Sequence, residues 1–147
     1  MGDRAILLVE DNANDEALTL RAIKKNNILN EVIVVRDGAE ALDYLFASGC
    51  HAGRDAADLP EVVFLDLNLP KIGGLEVLKR IRANSRTRLL PIVILTSSKE
   101  DKDLIDGYGL GANSYVVKPV DFTQFQEAVK QLGIYWLLVN TRPPAAK

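Results

Sequence analysis

Short apolar runs recur along the chain, and each is cut off by a polar or charged residue. Ile6-Leu7-Leu8-Val9, Val32 to Val35, Val62-Val63-Phe64-Leu65, Ile92-Val93-Ile94-Leu95 and Tyr115-Val116-Val117 are continuous and rich in β-branched and aromatic residues. They predict strands of a parallel sheet, and Val62 to Leu65 reads as a strand buried on both faces. Between them the apolar period changes to that of a helix. Ala17, Leu20 and Ile23 share one face; so do Ala41, Leu42, Leu45 and Phe46, then Leu75, Leu78 and Ile81, and finally Phe122, Phe125, Val129, Leu132 and Trp136. Helix starts are marked by Asn12 to Asp15, by Asp37-Gly38, by Gly74, and by Asp121 with Gln124 in a capping-box spacing, while Lys24 and Lys25 complement the carbonyl end of the first helix. A fourth helix, from Lys99 to Leu110, is weakened by Gly107, Gly109 and Gly111, each costing up to ~1 kcal/mol relative to Ala.

Strands alternating with helices imply right-handed crossovers and one α/β domain over residues 1–140. The expected fold is a (βα)5 doubly wound parallel five-stranded sheet with helices on both faces. Residues 141–147, which hold Pro143 and Pro144, are expected to be a loose tail. The stretch from Gly49 to Pro60 lacks periodicity and reads as a long surface loop.

Composition narrows the function classes. The 147 residues are 48% hydrophobic and 26% charged, enough for a core without staples. A net charge of -2 offers no basic footprint for nucleic acid, and no apolar run approaches the length of a membrane span. Cys50 is the only cysteine, so no intramolecular disulfide is expected, and the start lacks a signal-peptide pattern, which points to the cytoplasm. Cys50 and His51 match no zinc-ligand spacing; His51 reads as a solvated loop residue.

The chemistry is concentrated at the strand ends. Asp66 follows Leu65 where burial should stop, because a dry, unpaired carboxylate costs several kcal/mol. By itself it reads equally as the opening of a turn toward Pro70 and Gly73-Gly74. The first strand, however, ends in Glu10-Asp11, the fourth in Thr96-Ser97-Ser98 and the fifth in Lys118. In a parallel sheet these share one edge, where α/β proteins bind ligands. Three carboxylates around one ammonium leave an excess of negative charge that a hard divalent cation, Mg²⁺, would offset. A carboxylate beside a metal and an ammonium suits attack on a phosphoryl group, with Thr96 donating to one of its oxygens. A phosphatase or mutase would place a second acid two residues beyond the nucleophile, where this chain has Asn68. A nucleotide or flavin module would need a glycine-rich loop where Glu10-Asp11-Asn12 stands.

The set Glu10-Asp11, Asp66, Thr96 and Lys118-Pro119, in this order and spacing, resembles the receiver domain of two-component response regulators from Ala5 to about Leu138. The resemblance implies a flavodoxin-like three-layer fold, with Asp66 as the residue phosphorylated by a sensor histidine kinase. It further implies Mg²⁺ held by Glu10, Asp11, Asp66 and the backbone carbonyl of Asn68, and Lys118 as the contact to the phosphoryl group. The Lys118-Pro119 bond would be cis. Thr96 and Tyr115 match the switch pair, in which the hydroxyl moves toward the phosphoryl group and the ring turns into the vacated space; Tyr115 also reads as a plain core aromatic. Asn68 and Ser98 occupy positions that tune phosphate lifetime. Glu10 is one methylene longer than the usual aspartate, which favours reaching the metal through water.

The long 49–60 loop and the closing Gly133-Ile134-Tyr135-Trp136-Leu137-Leu138 resemble stand-alone regulators paired with bacterial phytochrome kinases. The implied role is a phosphoacceptor that assists its own phosphorylation and dephosphorylation without being a turnover enzyme. Its output would be a contact with a downstream protein target or phosphotransfer protein through the fourth helix, fifth strand and fifth helix. A homodimer face is expected from Leu132, Tyr135, Trp136 and Val139.

Overall fold

A computed structural model describes residues 4–97, 100–118 and 122–141. The elements follow the apolar pattern: β1 (Ile6–Val9), α1 (Ala13–Lys25), β2 (Val32–Val35), α2 (Gly38–Phe46), β3 (Val62–Leu65), α3 (Gly74–Ala83), β4 (Ile92–Thr96), α4 (Asp101–Gly109), β5 (Ser114–Val117) and α5 (Phe122–Gly133). A π-helical turn over Ile134–Val139 extends α5, and a short 3-10 turn over Gly49–His51 follows α2. The expected capping residue Asp121, the residues Ser98 and Pro119, and the tail beyond Thr141 lie outside the described residues.

All five strands pair in parallel in the order β2-β1-β3-β4-β5. Chain order reverses on either side of β1, which puts a crevice at the carboxyl ends of β1 and β3. The two-residue period of the strands divides the core into two layers. Leu7, Val9, Val63, Leu65, Ile92 and Ile94 pack under Ala41, Leu42 and Leu45 of α2 and Val77, Leu78 and Ile81 of α3. Ile6, Leu8, Val62, Phe64, Val93 and Leu95 pack against Ala22 and Ile23 of α1 and Phe125, Val129, Leu132 and Trp136 around α5. Every residue of β1 and β3 is buried, which is why those runs carry no polar residue until their ends.

Packing on one of these layers corrects the expected dimer face. Leu132 and Trp136 are buried within the chain, so they are core, while among the described side chains of 132–137 Ile134 and Tyr135 are exposed; the side chain of Val139 lies outside the described ones. An apolar helical stripe looks the same whether it meets its own sheet or a second molecule.

The 49–60 loop is tied to α2 by specific contacts. Ala47 and Gly49 both adopt left-handed backbone (φ 53° and 52°) and turn the chain back along α2. Arg54 lies over the Tyr44 ring at 3.6 Å and donates to the carbonyls of Tyr44 and Asp58. His51 is half-buried, not solvated: its Nε2 lies 3.2 Å from Glu40 Oε2 and its ring meets Tyr44 edge-on at 5.3 Å. The carboxylate that holds it stands 11 positions earlier, on the first turn of α2, beyond the reach of any local spacing rule.

Candidate functional site at the carboxyl edge of the sheet

Strand register delivers the site. Val9 pairs with Leu65, so the next residues, Glu10 and Asp66, leave the sheet side by side, and Asp66 donates its N–H to Val9 O at 3.1 Å. Glu10 N–H continues the other ladder to Val35 O at 3.0 Å, and Lys118 N–H bonds Thr96 O at 2.8 Å just past the end of β5. Each of these three side chains is therefore fixed by a backbone hydrogen bond that extends a strand pair by one step.

The loop after β3 is pinned from two sides by glycines. A Cβ at Gly74 would lie inside contact distance of the Asp66 carbonyl oxygen, and one at Gly38 would collide with the Ile72 carbonyl. Only a residue without a side chain lets α2 and α3 approach the backbone this closely. Gly74 N–H bonds Leu67 O at 3.0 Å, closing the turn that aims Asp66 inward.

Asp66 is 7% exposed, Glu10 1% and Thr96 fully buried. Thr96 Oγ1 donates to Asp66 Oδ1 at 2.8 Å, and the Asn68 N–H donates to the same oxygen at 3.1 Å. Lys118 Nζ donates to Asp66 Oδ2 at 3.1 Å, to Glu10 Oε1 at 2.5 Å and to Asp15 Oδ2 at 2.9 Å. The second oxygen of Glu10 accepts the Asn12 N–H at 3.3 Å. Among the described residues, no buried side-chain nitrogen or oxygen lacks a hydrogen-bond partner.

Three carboxylates thus share one ammonium, and the titration of the group reflects it. Burial dominates at Glu10 and, with the neighbouring Asp66 charge, outweighs the Lys118 hydrogen bond, so its carboxyl is pushed up to about 7. Burial also opposes ionisation of Asp66. There the hydrogen bond from Glu10, the Lys118 charge, the Asn68 N–H and the Thr96 hydroxyl prevail together and hold the carboxyl below its ordinary value. Lys118 would be driven down by burial, yet Glu10, Asp15 and Asp66 raise it, so it stays charged. Without a cation in the notch, Glu10 is the carboxylate of the set that takes up a proton most readily, beside an Asp66 held ionised and an ammonium.

The polar residues expected at the strand ends do meet: Glu10, Asp11, Asp66, Thr96 and Lys118 gather at one edge, with the exposed Asp11 at the rim. The same small space takes one carboxylate oxygen each from Glu10, Asp11 and Asp66, all within 4.8 Å of one another, a hard all-oxygen donor set that fits a divalent cation of the Mg²⁺ or Mn²⁺ type. Tyr115 is half-buried, packed on the core beneath α4 with its ring 6.4 Å from that of Tyr108. The Lys118-Pro119 peptide, expected cis, involves a residue outside the described ones.

Asp15 is the site residue that sequence reasoning missed. It appears there only as part of a helix start, and its N–H does bond the Asn12 side chain at 3.0 Å. Its carboxylate nevertheless reaches a lysine 103 positions away, because the first turn of α1 overhangs the notch. The one available signal was an acid a helical turn beyond the Glu10-Asp11 pair.

Comparison with known proteins agrees with this fold. The family model described as the response regulator receiver domain matches residues 6–130. The probable methanogenesis regulatory protein FilR2 of Methanothrix harundinacea is 41% identical over 141 residues, which is 96% of this chain and 88% of the relative. Among solved structures, the bacteriophytochrome response regulator AtBRR is 51% identical, with a TM-score of 0.77 and coverage of 96% of this chain and 100% of that one. The phosphorylated cyanobacterial phytochrome response regulator RcpA is 36% identical, with a TM-score of 0.89 and coverage of 97% and 100%. With acid, hydroxyl and lysine converging on one notch of a five-stranded parallel sheet, and with these relatives, the chain belongs to the response regulator receiver domain family.

Proposed function

We propose that Asp66 accepts a phosphoryl group from the phosphohistidine of a sensor kinase, and that the notch around it assists both the arrival and the loss of that group. The observation that carries the assignment is the convergence of Thr96 and Lys118 on opposite oxygens of one buried carboxylate, at 2.8 Å and 3.1 Å. In the transfer, a carboxylate oxygen of Asp66 forms the new P–O bond while the P–N bond to the kinase imidazole breaks, and the imidazole keeps the electron pair and takes up a proton. The Lys118 ammonium and the Thr96 hydroxyl are placed to donate to the phosphoryl oxygens, where charge builds up. Glu10, Asp11, Asp66 and the Asn68 carbonyl would hold Mg²⁺, which supplies charge neutralisation to the same oxygens.

Before transfer, Lys118 is shared among Glu10, Asp15 and Asp66. Moving it toward the phosphoryl group weakens the grip of α1 on β5 and shifts the population toward a second arrangement of α4 and β5. Thr96 and Tyr115 are the switch pair in this reading, and Ile105 and Tyr108, exposed on α4, are the apolar part of the surface that a target protein meets. The kinase is of the phytochrome class, as the names of RcpA and AtBRR indicate for those proteins. A second copy of the chain would meet Ile134 and Tyr135, two large apolar residues exposed beyond α5.

The test is phosphorylation by an acyl phosphate in Mg²⁺, read by intact mass. One phosphoryl adduct is expected on the wild type and none on Asp66→Asn; equal adducts on both would overturn the assignment. Phosphotransfer from a purified phytochrome-type kinase tests the partner separately, and transfer no faster than from the acyl phosphate would reject it.

A further inference from the structure

We propose that Glu40, Cys50 and His51 form a second metal site, on the outer face of α2, for a borderline-soft divalent cation of the zinc class. One donor atom from each residue lies within 4.8 Å of the other two. A thiolate, an imidazole and a carboxylate suit Zn²⁺, whereas the all-oxygen notch suits Mg²⁺.

The site is built by the backbone. Ala47 and Gly49 take left-handed conformations, and Ser48 N–H bonds Asp43 O at 2.9 Å, so the chain doubles back and lays Cys50 and His51 against the helix it has just left. His51 N–H bonds Ser48 O at 2.9 Å, and its ring rests on Tyr44. Glu40 is fixed as well, since its Oε1 accepts the Arg36 N–H at 3.2 Å while Oε2 faces His51. In a tetrahedral zinc site with bonds of about 2.0–2.1 Å, nitrogen and oxygen ligands stand about 3.3 Å apart. The Nε2 to Oε2 distance here is 3.2 Å. The pair is thus already at ligand spacing, and the exposed Cys50 sulfur, within 4.8 Å of a donor atom on each, would complete three protein ligands, with water as the fourth.

Binding releases the Cys50 thiol proton to solvent as the sulfur–metal bond forms. The metal would then tie the 49–60 segment to α2, a cross-link separate from the acidic notch and independent of the reading given to Asp66.

Cobalt(II) is the probe, because Cys50 is the only cysteine and His51 the only histidine in the chain. Titrating the full chain in excess Mg²⁺, which competes for the notch, should produce a thiolate-to-cobalt charge-transfer band that saturates at one metal per chain. Cys50→Ser should abolish the band, and His51→Ala and Glu40→Gln should each weaken binding at least tenfold. Zn²⁺ should displace the cobalt and shift the imidazole proton resonances of His51. All three variants should keep the wild-type circular dichroism spectrum, which verifies that they fold. The absence of a charge-transfer band, saturation at one metal per two chains, or full affinity in both His51→Ala and Glu40→Gln would overturn the site.

Discussion

Among the described residues, two clusters of side chains have donor sets that could hold a metal ion, and they are made in opposite ways. The notch at Asp66 is assembled by four strand ends, is largely buried, and confines carboxylates around an ammonium in a polarising environment. The cluster at Glu40 is assembled by one helix turn and the segment that folds back on it, and Cys50 there is exposed. Sheet register can hold charges at fixed separations against their mutual repulsion, because moving one of them means breaking a ladder. A helix and a turn hold donors more loosely and suit a ligand whose own bonds complete the geometry. Buried charge should therefore make the first cluster costly to disturb, and exposure should make the second cheap.

The largest effect is expected at Lys118. Replacing it by Met leaves Glu10 and Asp66 buried without their counter-charge, which should lower stability at neutral pH by about 3 kcal/mol. The loss should shrink in acid, where the carboxylates protonate. Urea unfolding at two pH values measures both, and an unchanged midpoint would erase the contrast with Cys50→Ser, whose stability should stay within about 0.5 kcal/mol of wild type.

The next effect is on pH dependence. The Glu10 carboxyl is raised from 4.5 to about 7, so between those values the native chain keeps a proton that the unfolded chain has released. The associated stability is fully present below 4.5 and is lost as pH rises through 7. Asp66, lowered, contributes in the opposite sense, and its contribution is lost only in acid below its ordinary value of 3.8. In a chelator, the urea midpoint should therefore fall between about pH 5.5 and pH 8, by on the order of 2 kcal/mol in stability, and Glu10→Gln should flatten the slope. Affinity for Mg²⁺ should rise over the same range, since the cation competes with that proton.

The smallest effect is expected from Asp15→Asn. Its side chain is 35% exposed and Lys118 keeps two other acceptors, so the stability change should be under about 1 kcal/mol. The phosphorylation rate should nonetheless change several-fold, because Lys118 is less firmly drawn toward α1. Stopped-flow measurement with an acyl phosphate separates the two, and a large loss of stability without a rate change would make Asp15 a purely structural partner.

How far the sequence could be read follows from the range of the forces involved. Burial of β1, β3 and β4 on both faces forces their residues to be apolar until the chain leaves the core, so the strand ends at Glu10, Asp66 and Thr96 are visible as abrupt changes of polarity. The helices are visible by their stripes, and the weak α4 by its glycines. Asp15 was hidden because its contact with Lys118 depends on where α1 overhangs the sheet, and His51 because Glu40 reaches it only after the chain turns back at Ala47 and Gly49.

By itself, then, the order of residues determined the parallel α/β sheet and the five polar groups placed at its carboxyl edge, since local periodicity and the end of burial are written in neighbouring positions. Tertiary structure alone decided which side Leu132 and Trp136 face, that Asp15 shares Lys118, and that Glu40 stands beside Cys50 and His51. Those outcomes depend on helix placement and on reversals of the chain, where packing between distant segments sets the distances and no nearby residue records the result.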